Sequence, residues 1–403
     1  MRRANGADLM PEENDVTPQT ALTAAEILPT DADTALLLGR VWSDAQGGPC
    51  PVVLRAGRVL DLSTIAATMS GLLERADLDQ LVTRPDLPDL GPLDRFLDGS
   101  AGRLLAPIDL QSVKAAGVTF AGSMLERVIE EQARGDSARA ADLRARLAPV
   151  IGDSLRGVAA GSQKAAQVKA LLQEMNLWSQ YLEVGIGPDA EIFTKAQPMA
   201  SVGCGDLVGI HPISDWNNPE PEVVLVVRSD GTILGATLGN DVNLRDVEGR
   251  SALLLGKAKD NNASCALGPF IRLLDDRFTL ADLEQETVSL HVTGQDGFDM
   301  TGESPLHAIS RKPADLVAQL LNRSHQYPDG VVLFLGTMFA PVKDRRGVGL
   351  GFTHETGDRV EIASPRLGRL VNWVERTDRC PEWTFGTTAL VRNLVARGLG
   401  DRI

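Results

Sequence analysis

Basic residues are in short supply in this chain: 40 Lys and Arg stand against 54 Asp and Glu, a net charge of −14, and no block of cations interrupts the excess. Phosphate backbones and anionic membrane surfaces are held by basic patches, so no nucleic acid and no membrane is the expected partner, and a small molecule is. Cysteine is also sparse. Cys50, Cys204, Cys265 and Cys380 are far apart, with no C-x-x-C pair and no histidine at zinc-ligand spacing. That argues against a disulfide framework and a zinc site and fits reduced thiols. No apolar run approaches the ~20 residues of a membrane helix. Arg2 and Arg3 are followed by polar residues rather than an apolar stretch, so the N-terminus does not read as a secretory leader and the expected location is cytoplasmic.

What is present is an ordinary globular composition, 43% hydrophobic and 23% charged, over 403 residues, enough for two domains with a substantial core. Residues 1–32, rich in Ala, Thr, Asp, Glu and Pro, read as a flexible arm. The strand-like TALLLGRVW and PVVLRAGRVL, then the helical TIAATMSGLLERA, make residues 33–105 a small α+β unit, closed by a Pro-, Asp- and Gly-dense linker from Thr83 to Gly102. Residues 106–403 form the larger domain. It begins with the amphipathic patterns SMLERVIEEQARG and SARAADLRARLAPVI. From Leu182 it turns to short β-branched runs punctuated by Gly and Pro, so periodicity predicts a β-rich α+β fold with peripheral helices.

The stretch NNPEPEVVLVVRSDGTILGATLGNDVNLRD, Asn217 to Asp246, concentrates the chemistry. Two β-branched runs flank Asp230-Gly231, a dipeptide suited to a type I′ turn, which predicts a hairpin. Opposed residues in that register place Glu220 across from Asp241, and side-chain alternation puts Glu222 on the face of Glu220. Pro219 and Pro221 give no N–H to a ladder, so this end is expected at an edge or an open rim. Three carboxylates on one patch repel unless protonated, solvated apart or bridged by a cation. A bridging cation with an all-oxygen shell suits Mg²⁺, Mn²⁺ or Ca²⁺ rather than zinc or copper, and three protein ligands leave positions for water and substrate. The bland alternative is a solvated acidic hairpin end.

The order EPE, strand, Asp-Gly turn, strand, GNDVNLRD, GKAKDNNASCALGPF, GVVLFLGTMFAP and GDRVEIASPRLGRLVN resembles the fumarylacetoacetate hydrolase family over about residues 110–400. Within it, GSQKAAQVKA, NLWSQYLEVGIGPDAEIFTK and WNNPEPE resemble the branch that dehydrates 2-keto-3-deoxy pentonates. The resemblance implies a mixed β-sandwich or roll behind a smaller N-terminal domain, a homodimer or homotetramer, and a 2-keto-3-deoxy sugar acid as substrate. It implies Mg²⁺ on Glu220, Glu222 and Asp241, catalysis by Lys259 and Glu191 with the base and acid roles open, and substrate binding by Gly336 and Thr337. By composition alone Lys257 is as good a choice as Lys259. The family's hydrolases use a His-Glu pair near the start of the domain, but AGVTFAGSMLERVIEE contains no histidine, which weakens hydrolysis and favours a lyase. The alternatives are a family hydrolase or decarboxylase acting on an oxo-acid, and a non-catalytic sugar-acid binding protein.

Overall fold

The computed structural model describes residues 22–120, 158–174, 178–339, 341 and 343–403, with 124, 128, 129, 142, 143 and 145 between the first two stretches. Most of the two amphipathic patterns after Ala121 lies outside the described residues. In chain order the strands are β1 (Leu37–Ser43), β2 (Gly48–Arg55), β3 (Arg58–Asp61), β4 (Asp89–Pro92), β5 (Gly102–Leu105), β6 (Ser112–Gly117), β7 (Glu191–Ala196), β8 (Leu207–Ile210) and β9 (Asn217–Asn218). They continue as β10 (Pro221–Val227), β11 (Ile233–Asp241), β12 (Asn243–Leu244), β13 (Cys265–Leu273), β14 (Thr287–Thr293), β15 (Asp299–Pro305), β16 (Val331–Phe334), β17 (Arg359–Ser364) and β18 (Gly368–Arg376).

A large mixed sheet runs β4-β3-β2-β1-β13-β11-β10-β16-β6-β7, with β5 also on β1. A second sheet, β15-β14-β17-β18-β8, packs against it, and β9 and β12 form a short ribbon. The run VVLVV in β10 is apolar on both faces because both are covered. Val223, Leu225 and Val227 join the core that contains Leu290, Ile362 and Leu370 of the second sheet, while Val224 and Val226 join Met69, Leu72 and Leu81 from helices on the other side. The helix Met69–Leu73 begins where Thr68 accepts the Gly71 N–H, an N-cap that satisfies one of its unpaired donors.

Several expectations are corrected. The predicted arm is packed from Leu22 onward: Leu22 and Ile27 are buried, and Asp31 makes a paired contact with Arg272, 2.5 and 2.7 Å. The Thr83–Gly102 linker instead holds β4, paired to β3, and a helix at Asp94–Leu97 whose Phe96 is buried. The sheet also runs unbroken across the boundary placed near Ala106, because β1 pairs with β13. The two-residue turn is not formed. Arg228 N–H donates to the Thr232 carbonyl across a longer turn, and the register shifts between Val226 and Val227. The extra turn residue and the bulge cancel, so Pro221 pairs with Asn240 and Glu222 with Gly239, as the simple count requires.

Candidate metal and acid–base site

The site forms where strand ends meet. β6 runs parallel to β16, and β10 and β7 run antiparallel to them, so the C-terminal ends of β6, β16 and β11 lie beside the N-terminal ends of β10, β7 and β13. Glu220 and Glu222 extend β10 past the last β16 pairing at Phe334, and Asp241 ends β11. The carboxylates therefore lie where a central strand pair projects past its neighbour into the cavity, so of the edge or open rim expected from Pro219 and Pro221 it is the edge that does not apply. Asp241 N–H donates to the Glu220 carbonyl at 3.1 Å, fixing the two opposite each other. One oxygen from each of Glu220, Glu222 and Asp241 lies within 4.8 Å of the others, and all three residues are buried.

Two lysines enter the cluster. Lys259, the last residue of the helix Leu255–Lys259, contacts Glu220 Oε2 and lies 3.0 Å from Asp241 Oδ2. Lys257 is directed away, its Nζ 2.9 Å from His211 Nε2, which separates the two lysines that composition left equal. Lys195, fully buried, was not singled out from the sequence. Its Nζ is 2.9 Å from Asp241 Oδ1, donates to the Val242 carbonyl at 3.1 Å and also bonds the Lys259 carbonyl. The signal was strand alternation in EIFTKA, which places Glu191, Phe193 and Lys195 on one face.

Burial, followed by the charges of Asp241 and Glu220, raises the Glu222 carboxyl well above the ordinary range. Burial also works against ionised Asp241, but Lys195 and Lys259 outweigh it and hold this carboxyl below its usual value. Glu222 accepts the Gly336 N–H at 2.7 Å. Gly336 has φ +86, and a Cβ there would fall 2.1 Å from Thr119 Oγ1, so this turn requires glycine. The Gly336 amide is thus committed to Glu222, and Gly336 and Thr337 both line the cavity. Glu191 opens β7 opposite Gly117 and lines the same cavity, and a Cβ on Gly117 would lie 2.0 Å from Glu191 Oε2.

Asn218, Asn243 and Arg245 also line the cavity, none of them singled out beforehand. Asn218 Nδ2 donates to the Pro219 carbonyl at 2.9 Å and Asn243 Nδ2 to Glu248 Oε2 at 2.7 Å, while the Oδ1 of each is buried and accepts no hydrogen bond among the described residues. Unmatched buried acceptor oxygens beside three carboxylates fit a hard cation or its water shell. Arg245 lies 4.6 Å over the Trp216 ring and donates to the Pro341 carbonyl. No histidine among the described residues lines the cavity. Buried His354 is engaged by Asp358 Oδ2 at 3.0 Å.

Comparison with known proteins places this geometry in a family. A 2-dehydro-3-deoxy-D-arabinonate dehydratase of Saccharolobus solfataricus is 33% identical over 186 residues, 46% of this chain and 59% of its relative, so the match spans less than two thirds of that protein. A probable 2-keto-3-deoxyxylonate dehydratase of Haloferax volcanii is 29% identical over 54% of this chain and 71% of its own. Among solved structures, a 2-keto-3-deoxy-D-arabinonate dehydratase complexed with magnesium and 2,5-dioxopentanoate superposes with a TM-score of 0.60 at 22% identity, over 84% of this chain and 99% of that one. A fumarylacetoacetate hydrolase from Exiguobacterium antarcticum gives 0.53 at 17%, over 85% and 100%. At those identities the likeness is one of fold, shared by a dehydratase and a hydrolase. Because the model for the fumarylacetoacetate (FAA) hydrolase C-terminal domain matches residues 169–375, just over half of the sequence, the chain belongs to the fumarylacetoacetate hydrolase family.

Proposed function

We propose that this protein is a Mg²⁺-dependent hydro-lyase that dehydrates a 2-keto-3-deoxy pentonate, 2-keto-3-deoxy-D-xylonate or -D-arabinonate, to 2,5-dioxopentanoate. The observation that carries the proposal is the buried Glu220–Glu222–Asp241 cluster with Lys259 inside it and Glu191 in the same cavity. The names of the two sequence relatives support the substrate class, and the histidine-free stretch AGVTFAGSMLERVIEE, where the family's hydrolases carry their His-Glu pair, supports elimination over water-activating chemistry.

Glu220, Glu222 and Asp241 are the residues that would hold the cation, and the buried Oδ1 atoms of Asn218 and Asn243 would offer further oxygen acceptors to it or to its water. A bound Mg²⁺ supplies Lewis acidity toward the carboxylate and 2-keto oxygens of the substrate. Lys259 and Glu191 divide the proton transfers. One removes a proton from the third carbon, and the other protonates the hydroxyl leaving the fourth carbon as water. The unsaturated keto acid so formed becomes the terminal aldehyde in two proton shifts, one from the fifth carbon to the third, which leaves an enol between the fourth and fifth carbons, and one from the enol hydroxyl to the fourth carbon. Thr337 orients the substrate carboxylate, and Phe193, its ring 5.7 Å from Lys259 Nζ, shields the lysine from solvent.

The test is incubation of 2-keto-3-deoxy-D-xylonate with protein and Mg²⁺, the aldehyde being read through a coupled semialdehyde dehydrogenase. Metal-dependent turnover that disappears in Glu222→Gln supports the reading. Binding without turnover favours a non-catalytic sugar-acid binding protein.

A further inference from the structure

A second cavity, of about 500 Å³, lies on the far side of the segment that follows Lys259. Its walls are Trp42 of β1, Leu105 of β5, Met199, the turn residues Asn262 and Ala263, and the segment Pro381–Phe385. None of these belongs to the carboxylate cavity. The outer wall is fastened in place. Asn262 Nδ2 donates to the Thr377 and Pro381 carbonyls at 3.2 and 3.1 Å, and Trp42 packs edge-on to Phe385 with ring centres 5.4 Å apart. Trp383 stands at the mouth, 45% exposed.

Into this partly aromatic space the fold sends a cation. Arg40 and Trp42 are two apart on β1 and share a face, and Arg40 is 4% exposed. Its one hydrogen bond among the described residues goes from Nη1 to Met199 Sδ at 3.4 Å, and its buried Nε has no partner. A guanidinium has five N–H donors, and a thioether is a weak acceptor. Asp109 is the carboxylate nearest in charge, but its oxygens are taken by the N–H groups of Met69, Ser70 and Leu110 at 2.6 to 3.0 Å. The other arginine of the cavity, Arg103, meets Asp206 at 3.3 Å. A buried guanidinium with most donors unmet is costly unless something supplies acceptors.

We infer that this cavity is a second binding site, distinct from the carboxylate cluster, for a small organic acid with a planar apolar body, whose carboxylate is held by Arg40. One unmatched guanidinium suits one carboxylate, which it grips through two parallel N–H bonds. Asp206 and Glu382 in the lining oppose a dianion such as phosphate. Trp42, Trp383 and Phe385 present ring surface to the body.

The experiment compares naphthalene-1-carboxylate with neutral 1-naphthamide, by calorimetry and tryptophan fluorescence, on the Mg²⁺-loaded full chain. The expected result is saturable binding of the carboxylate at one per chain, with the amide weaker by about tenfold or more. Arg40→Met removes that preference, and Trp383→Ala weakens both probes. Equal affinity for the two probes, absence of saturable binding, or a preference that survives Arg40→Met overturns the inference. Should Arg40→Met fail to fold, the comparison on the unmodified chain decides together with Trp383→Ala at the mouth, where unchanged carboxylate affinity overturns it equally.

Discussion

Lys259 Nζ sits 3.0 Å from Asp241 Oδ2 and in contact with Glu220 Oε2, within the space enclosed by three carboxylates that are arranged for a cation. The lysine supplies a positive charge among the carboxylates and is also the proton carrier of the proposed mechanism. Replacing it separates these roles. Lys259→Ala is expected to lower kcat by about a thousandfold, within the range for loss of a general acid or base, while tightening Mg²⁺ binding, because a competing cation is gone. Calorimetric titration with Mg²⁺ checks the second half, and weaker binding in the variant contradicts it.

Glu222 gives a stability prediction with an unusual sign. Its carboxyl is raised by burial and by Asp241 and Glu220, so in the metal-free protein its ionisation favours the unfolded chain. The stability associated with the protonated form is present below the ordinary glutamate value and lost as pH rises through the raised folded value. Metal-free Glu222→Gln is therefore expected to melt above the unmodified protein at pH about 8, with the difference shrinking toward pH about 4, where glutamate protonates even when unfolded. Scanning calorimetry across that range checks it, and a lower melting temperature for the variant at pH about 8 contradicts it.

The same carboxyl must lose its proton to serve a cation, so Mg²⁺ affinity is expected to rise with pH through the raised Glu222 value while Asp241, held low, stays ionised. Mg²⁺ at about a hundred times its dissociation constant is expected to stabilise the fold by roughly 2.7 kcal/mol, and Glu222→Gln to lose most of this. Thermal melts with and without Mg²⁺ at several pH values measure both. A stabilisation independent of pH contradicts the assignment.

Lys195 is the structural counterpart. It joins Asp241 to the backbone carbonyls of Val242 and Lys259 with no exposure to solvent. Lys195→Met leaves Asp241 facing burial with one fewer partner, and a loss of about 3–5 kcal/mol is expected, the range for breaking a buried pair. Urea unfolding of the metal-free protein measures this, and a loss below about 1 kcal/mol, typical of an exposed pair, contradicts it.

Gly117 tests the acid–base role of Glu191. Alanine there places a methyl group where Glu191 Oε2 now lies, 2.0 Å from the new carbon, so the carboxylate must swing away. A displacement of about 1 Å in a catalytic group costs about a hundredfold. Gly117→Ala is expected to lower kcat by that order with melting temperature and Mg²⁺ affinity retained. Unchanged kcat in a folded variant removes Glu191 from the proton transfers.

Much of the cluster was legible because two regular rules met in one stretch: pairing register put Glu220 opposite Asp241, and alternation put Glu222 beside them. The register held although the turn was wrong, since the longer turn and the bulge near Val227 offset each other, which local turn chemistry does not reveal. Edge and open rim could not be told apart because prolines mark a missing N–H but do not say whether the strand lies at a sheet edge or projects past a shorter neighbour, as β10 does beyond β16. Lys195, Asn218 and Asn243 were passed over because their significance lies in burial and in partners from other segments, such as Val242 and Lys259 for Lys195. The packing of Leu22 to Asp31 was hidden for the same reason: Arg272, which anchors Asp31, is 241 residues away.

The most direct test of the account is the carbon count and proton inventory of the product. Mass spectrometry and NMR of the reaction of 2-keto-3-deoxy-D-xylonate in the presence of Mg²⁺ are expected to show a single five-carbon product, lighter than substrate by one water and bearing a terminal aldehyde, with no formation in Glu222→Gln. A product that has lost carbon, or unchanged substrate with folded and Mg²⁺-loaded protein, would contradict the proposed dehydration.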